Sequence, residues 1–262
     1  MVLDSMTELE ILQEMSKAWD NEISLAGQRI FRRNINKLKK IKRQEGFHVG
    51  DFSMPVRGTK YLYGLSAQNI GGEIYIRGEY LITIMNHDDN GGKYILKTGT
   101  KKKTLFRNSP VGEACEYVSK YEGHFFQRIR ERLSMEESKT FEEIARFYFR
   151  NTAKTPTIKY ILRGEDDGDM SFMEIGNVGI ALGIIRYIRL GEDRILMSEH
   201  YKTFVSHDMR REDQEILDAD LEAGLFEDLQ YYLGTSTLDS KNYAGGMYID
   251  VREEIKRREG TV

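Results

Sequence analysis

The stretch Tyr121-Glu-Gly-His-Phe-Phe-Gln-Arg-Ile-Arg-Glu-Arg-Leu133 decides how the chain divides. It reads as one short helix standing between two runs of strand-like segments. Phe125, Phe126 and Ile129 mark the side that a core would claim. His124, Arg128 and Arg132 recur at four-residue steps and line up on another side. An imidazole beside a column of guanidiniums is what a protein needs to move a proton next to a phosphate. A solvated helix face has the same composition, so both readings stand at this point.

On the N-terminal side of this stretch, residues 6–44 predict helix, interrupted near Gly27. Leu9, Leu12, Met15 and Trp19 recur at helical steps, followed by Ile30, Ile35, Leu38 and Ile41. Residues 47–107 change character. Glycines punctuate short segments rich in Tyr, Ile, Leu and Thr, which predicts antiparallel strands joined by tight turns. Lys101-Lys102-Lys103 and Arg107 are expected in a loop after this sheet. His87-Asp88-Asp89-Asn90 reads as turn chemistry rather than a metal site, because adjacent side chains rarely converge on one ion. A helix is expected from about Val111 through Leu133.

Beyond Leu133, Ser138 and Thr140 offer N-caps for a helix with a Phe141, Ile144, Ala145 and Tyr148 stripe. After Pro156 come strands at Thr157–Leu162, Ser171–Ile175, Val178–Leu190 and Ile195–Val205. An acid-rich helix is expected from Met209 to Leu233. The fold class is α+β in two parts. Residues 1–110 form a basic helix with an antiparallel sheet. Residues 111–262 form a helix-helix-sheet unit with an acidic helical C-terminal segment.

The 262 residues carry a net charge of −3, but the charges are segregated. Residues 29–43 hold eight Lys/Arg and no acid, and residues 93–107 hold six and no acid, whereas 208–228 hold nine Asp/Glu against two Arg. Arg32, Arg33, Lys37, Lys40, Lys101, Lys102, Lys103 and Arg107 are therefore the candidate nucleic-acid-binding residues, with Tyr94 and Phe106 near enough in sequence to stack on bases. RNA or another polyanion is the implied partner, and an acidic protein would suit the same charges. The opposite charges of the two ends suit head-to-tail self-association. One cysteine, Cys115, excludes an internal disulfide framework and fits a reducing compartment. No signal-peptide pattern opens the sequence, and its longest apolar run is too short to span a bilayer. A cytoplasmic protein away from membranes is the expectation. Phosphate-loop, paired-cysteine and His-Glu-x-x-His patterns are absent, so no cofactor and no metal are predicted.

The order of elements over residues 115–208 resembles small RNase toxin domains of the barnase/EndoU/colicin/RelE-like superfamily. The residues that carry the resemblance are His124, Arg128 and Arg132 on the helix, with Thr203 or Ser206 on the late strand Tyr201-Lys-Thr-Phe-Val-Ser-His207. The resemblance implies a metal-independent endoribonuclease. His124 would act as general base or acid, Arg128 and Arg132 would hold phosphate, and Thr203 would orient it. His200, His207, Lys202 and Tyr201 are candidates for a second proton carrier. The rival reading is a non-enzymatic nucleic-acid-binding or assembly protein, such as a structural protein of a virus or mobile element. There the basic helix and the lysine run make the contacts.

Overall fold

A computed structural model describes residues 1–38, 40, 47–70, 73–86, 92–102, 114–152, 158–162, 170–190, 195–207 and 247–250. The first helix, α1 (Glu8–Ala18), starts at a reciprocal cap. The Thr7 amide donates to Glu10 Oε2 at 2.8 Å and the Glu10 amide donates to Thr7 Oγ1 at 3.4 Å. Ile11, Leu12, Met15 and Ala18 form its buried stripe. A π-helical turn, Trp19–Ile23, then leads directly into α2 (Ser24–Leu38). The irregularity thus precedes Gly27 instead of falling on it. Gly27 lies within α2 because a Cβ there would sit 3.2 Å from the Tyr63 ring; its role is close approach to the sheet.

All the described strands belong to one mixed sheet. β1 (Phe47–Val56), β2 (Thr59–Ile70), β3 (Glu73–Asn86), β4 (Lys93–Lys102) and β5 (Ala114–Tyr121) form an antiparallel meander. After α3 (Gly123–Arg132) and α4 (Phe141–Thr152), a second meander follows: β6 (Ile158–Leu162), β7 (Met170–Gly176), β8 (Gly179–Arg189) and β9 (Ile195–Val205). β9 lies parallel to β5 and fuses the two meanders, and β10 (Met247–Asp250) lies parallel to β6 at the far edge. The spatial order is β1-β2-β3-β4-β5-β9-β8-β7-β6-β10. The two parts expected from sequence therefore share one sheet. The acid-rich segment from Met209 to Leu233 and the His87–Asn90 turn lie outside the described residues.

Within the helix expected from Val111 to Leu133, Ala114–Tyr121 is strand β5 and only Gly123–Arg132 is helical among the described residues. Tyr117, Ser119 and Tyr121 alternate with Val118 and Lys120, and this period of two belongs to a strand. Lys101 and Lys102 are likewise the last residues of β4 and not part of a loop. The α4 cap follows the expected chemistry, with the Thr140 amide donating to Glu143 Oε2 at 2.7 Å.

Alternation gives the sheet two buried faces. α3 and α4 cover the first face through Phe125, Phe126, Ile129, Ile144, Tyr148 and Phe149, packed on Tyr121, Phe172, Ile185, Tyr201 and Phe204. α1 and its π-helical continuation cover the second face with Ile11, Leu12, Met15 and Ile23, which pack with Tyr61, Tyr94, Leu96, Val118 and Leu196. The first-face core is largely aromatic. Tyr121 and Tyr201, directly paired across β5 and β9, stack with centroids 4.0 Å apart. Gly183, beside Tyr201 on β8, lets Phe172 meet Tyr201 edge-on at 4.9 Å. A Cβ at Gly183 would collide with the carbonyl oxygen of His200 and come within 2.7 Å of the Phe172 ring. Backbone cannot yield as a flexible side chain does. Gly183→Ala is therefore expected to cost about 1–3 kcal/mol, read as a lower midpoint in urea unfolding with an unchanged slope; an unchanged midpoint would contradict this packing.

Candidate functional site

α3 begins where β5 ends, and Gly123 allows the turn because a Cβ there would press to 2.5 Å from the Lys93 carbonyl oxygen. The helix buries Phe125, Phe126 and Ile129 completely and leaves His124 exposed. The four-residue spacing does bring His124 and Arg128 together: Arg128 Nε donates to His124 Nε2 at 3.1 Å. That nitrogen is therefore the acceptor, and the proton of a neutral ring sits on Nδ1. Arg128 also pairs with Glu131 at 2.7 Å. Hydrogen bonding from Gln127, then from Arg128, holds the Glu131 carboxyl below its usual range. Arg132 reaches the late strand and donates from Nη1 to the carbonyl oxygen of Phe204. This contact ties helix to sheet through a main-chain atom.

Thr203 is adjacent to that carbonyl in sequence, but its side chain is turned away. Tyr201 and Phe204 both enter the core beneath α3. A bulge, where Leu182 pairs with Thr203 and Gly183 with Tyr201, accommodates the two intervening residues on the opposite face. There Lys202 Nζ lies 3.7 Å from Glu122 Oε1, which also lies 4.0 Å from Lys120 Nζ. Of the four residues proposed for catalysis, His124 and Arg128 meet through their side chains, Arg132 engages backbone, and Thr203 points to the other face. Ser206 is buried and His207 contacts the Gly176 carbonyl at 2.8 Å. The open depression at the C-terminus of α3, about 470 Å³, is lined by Arg130, Glu131, Ser134, Met135 and Glu137. Two carboxylates against one guanidinium suit a phosphate poorly.

The basic residues are arranged differently. Register defines two ends of the sheet. One end holds the start of β1, the end of β4, the start of β5, the end of β8 and the start of β9; the other holds the β1–β2 turn and the junction of β5 with α3. Lys101 and Lys102 close β4 at the first end. α2 leaves the second end, where Glu22 pairs with Arg57 at 3.2 Å, crosses Tyr63 at Gly27, and directs its basic half toward the first. Arg32, Arg33 and Lys40 are exposed, and Lys37 lies within α2. Lys103 and Arg107 lie outside the described residues. The end of β8 contributes Arg186 and Arg189, both exposed, which a search for charge runs overlooks because they sit inside an apolar strand. His124 belongs to the second end: from Ala114, which pairs with Lys102, to Tyr121 is seven residues, or about 23 Å along a strand.

Two polar clusters escape sequence reading altogether. Asp51 on β1 accepts from the Tyr80 hydroxyl at 2.6 Å, pairs with Arg150 of α4, and lies 3.3 Å from His48 Nε2. Tyr80 reaches it by lying across Gly64, where a Cβ would fall inside the ring. An interior strand glycine was the only available signal. With the Tyr80 hydroxyl and the Arg150 guanidinium donating to it, the carboxylate clamps α4 to the edge strand. Deeper in the first-face core, Ser119 Oγ donates to the fully buried Glu199 at 2.5 Å, and the Tyr201 hydroxyl donates to Glu174. Burial, reinforced by Glu174 and Glu199, pushes the Tyr121, Tyr148 and Tyr201 hydroxyls well above the usual phenol range. No cluster of three or more metal-ligating side chains occurs among the described residues, and no helix among them is long and apolar enough to cross a membrane. Comparison with protein-family models, curated proteins and solved structures finds no match to this chain.

His200 faces Lys120, Lys202, Glu122 and Glu8 on the second face. Burial, and then the two lysines, lower its pKa below the ordinary histidine value of 6.5. The unfolded chain thus takes up this proton first as pH falls, so folded-state stability is full above about pH 6.5 and declines below it. Urea unfolding from pH 7 to 5 is expected to show this decline in the wild type and a flatter profile in His200→Gln. Parallel profiles would contradict the assignment.

Proposed function

We propose that the chain is an RNA-directed binding protein that grips the phosphate backbone with the basic end of its sheet, without itself cleaving the strand. One observation supports the reading. Segments far apart in sequence, the second half of α2, the Lys101-Lys102 terminus of β4 and the Arg186–Arg189 terminus of β8, converge on one end of the sheet. A chain with a net charge of −3 gains no general attraction for polyanions; such attraction requires local convergence of this kind. Phosphate contacts by Lys and Arg release condensed counterions, so affinity follows the local charge and weakens steeply with salt.

The enzymatic alternative needs a proton carrier, a phosphate-holding cation and a hydroxyl around one open cleft. His124 and Arg128 could supply the first two. Arg128 is already shared with Glu131, Arg132 is held by the Phe204 carbonyl, and Thr203 turns away. The geometry therefore favours binding over cleavage.

The test is equilibrium binding of fluorescent single-stranded RNA between about 50 and 200 mM salt. A variant carrying Arg32→Gln, Arg33→Gln, Lys101→Gln and Lys102→Gln is expected to bind weakly. Its slope of log affinity against log salt should be shallower by roughly three, at about 0.7 for each single-strand phosphate contact. His124→Ala should bind as the wild type does. Absence of RNA binding by the wild type would sink the proposal, and cleavage in excess EDTA that vanishes in His124→Ala would replace it with the ribonuclease.

A further inference from the structure

We infer that the basic end of the sheet recognises single-stranded RNA, in preference to duplex, by stacking an unpaired base on Tyr187. The inference rests on RNA binding at that end, as proposed above. Side chains alternate along β8, so Tyr187 shares the first face with Ile185 and Arg189. Ile185 is fully buried beneath α3 and α4, whereas Tyr187, two residues nearer the basic end, is 45% exposed. Met197 and Tyr117, in the same row on β9 and β5, stay buried in the first-face core, so the cover over this row gives way on β8, at Tyr187.

The row beneath the proposed base is firm. Tyr187 pairs with Met197, Met197 with Tyr117, and Tyr117 with Gly99. Met197 and Tyr117 are buried. Gly99 has no side chain, and the Tyr117 ring fills the space where its Cβ would be. Tyr187 thus extends a packed row and leaves part of its ring to solvent. Arg189, also exposed, is the next residue on the same face, about 7 Å further along the strand. A π surface with a guanidinium one step away, at the end where the other cations gather, matches the chemistry of an unpaired nucleotide: a base to stack and a phosphate to neutralise. Bases in a duplex have both faces occupied by their neighbours and cannot use Tyr187 this way. Duplex binding would then rest on phosphate contacts alone.

The experiment measures binding of one fluorescent RNA, as single strand and as duplex with its complement, to the wild type, Tyr187→Ala and Tyr187→Phe. The wild type is expected to prefer the single strand. Tyr187→Ala should lose roughly 5- to 150-fold in affinity for it, the range for one stacked base, and should bind duplex as the wild type does. Tyr187→Phe keeps the ring and should keep the affinity, which also guards against a fold defect in the alanine variant. Single-strand affinity unchanged in Tyr187→Ala, or lost equally in Tyr187→Phe, would overturn the stacking role while leaving salt-dependent binding intact. Failure of the wild type to bind either RNA would instead overturn the binding function on which the inference rests.

Discussion

The parallel pairing of β5 with β9 is the contact on which the rest of the molecule depends. Each meander alone is a twisted antiparallel sheet with an unpaired edge, and such edges invite association with other chains. Pairing Glu116–Tyr121 with Leu196–Tyr201 removes both inner edges at once. The Tyr121–Tyr201 stack seals the seam on the first face, and the Glu122 amide extends it by donating to the Tyr201 carbonyl at 3.2 Å. Aromatic pairs of this kind contribute about 0.5–1.5 kcal/mol beyond their buried area. The direction of the pairing matters as much as its strength. Because β9 runs parallel to β5, the end of β8 falls at the same end of the sheet as the end of β4. An antiparallel β9 would carry Arg186, Tyr187 and Arg189 to the opposite end and disperse the cations.

Register along the seam is specified by a buried polar pair. Ser119 and Glu199 sit opposite each other and are joined by a hydrogen bond of 2.5 Å within the first-face core. A slip of one residue would turn β9 over, sending Glu199 to the second face and Leu196 and Ser198 to the first. Burying a carboxylate is costly, and such groups persist where hydrogen bonds compensate them. The Ser119 bond to Glu199 forms in only one alignment of the strands, so the pair acts as a pin more than as a source of stability.

Much of the fold was legible in the sequence because its pattern is local. The strands expected after Pro156 coincide with β7, β8 and β9 to within a residue or so, and Thr140, one of the two N-cap candidates, caps α4. β5 was lost because Tyr117-Val-Ser-Lys-Tyr121 runs almost without a break into a true helix, with no turn residue except Gly123 to separate them. Gly27 looked like a helix break because a glycine required by a distant tyrosine is indistinguishable in sequence from one that ends a helix. The candidate sites divide in the same way. The His124–Arg128 contact follows from helical spacing, whereas the Arg132 bond to the Phe204 carbonyl joins residues far apart in the chain. Arg186 and Arg189 acquire meaning only once the strand order is known. Sequence spacing reports neighbours on one element; which elements are neighbours is decided by packing.

The central claim is that the ligand-binding surface lies at the β4–β8 end of the sheet and not on α3. Ultraviolet cross-linking of bound RNA to the intact protein, with the attached residues identified by mass spectrometry, tests it most directly. Attachment at Tyr187 and around Lys101, Lys102 and the basic half of α2, with none on Gly123–Arg132, is the result the account predicts. Attachment centred on His124 and Arg128, with the β4–β8 end unmarked, would contradict it and return the site to the helix.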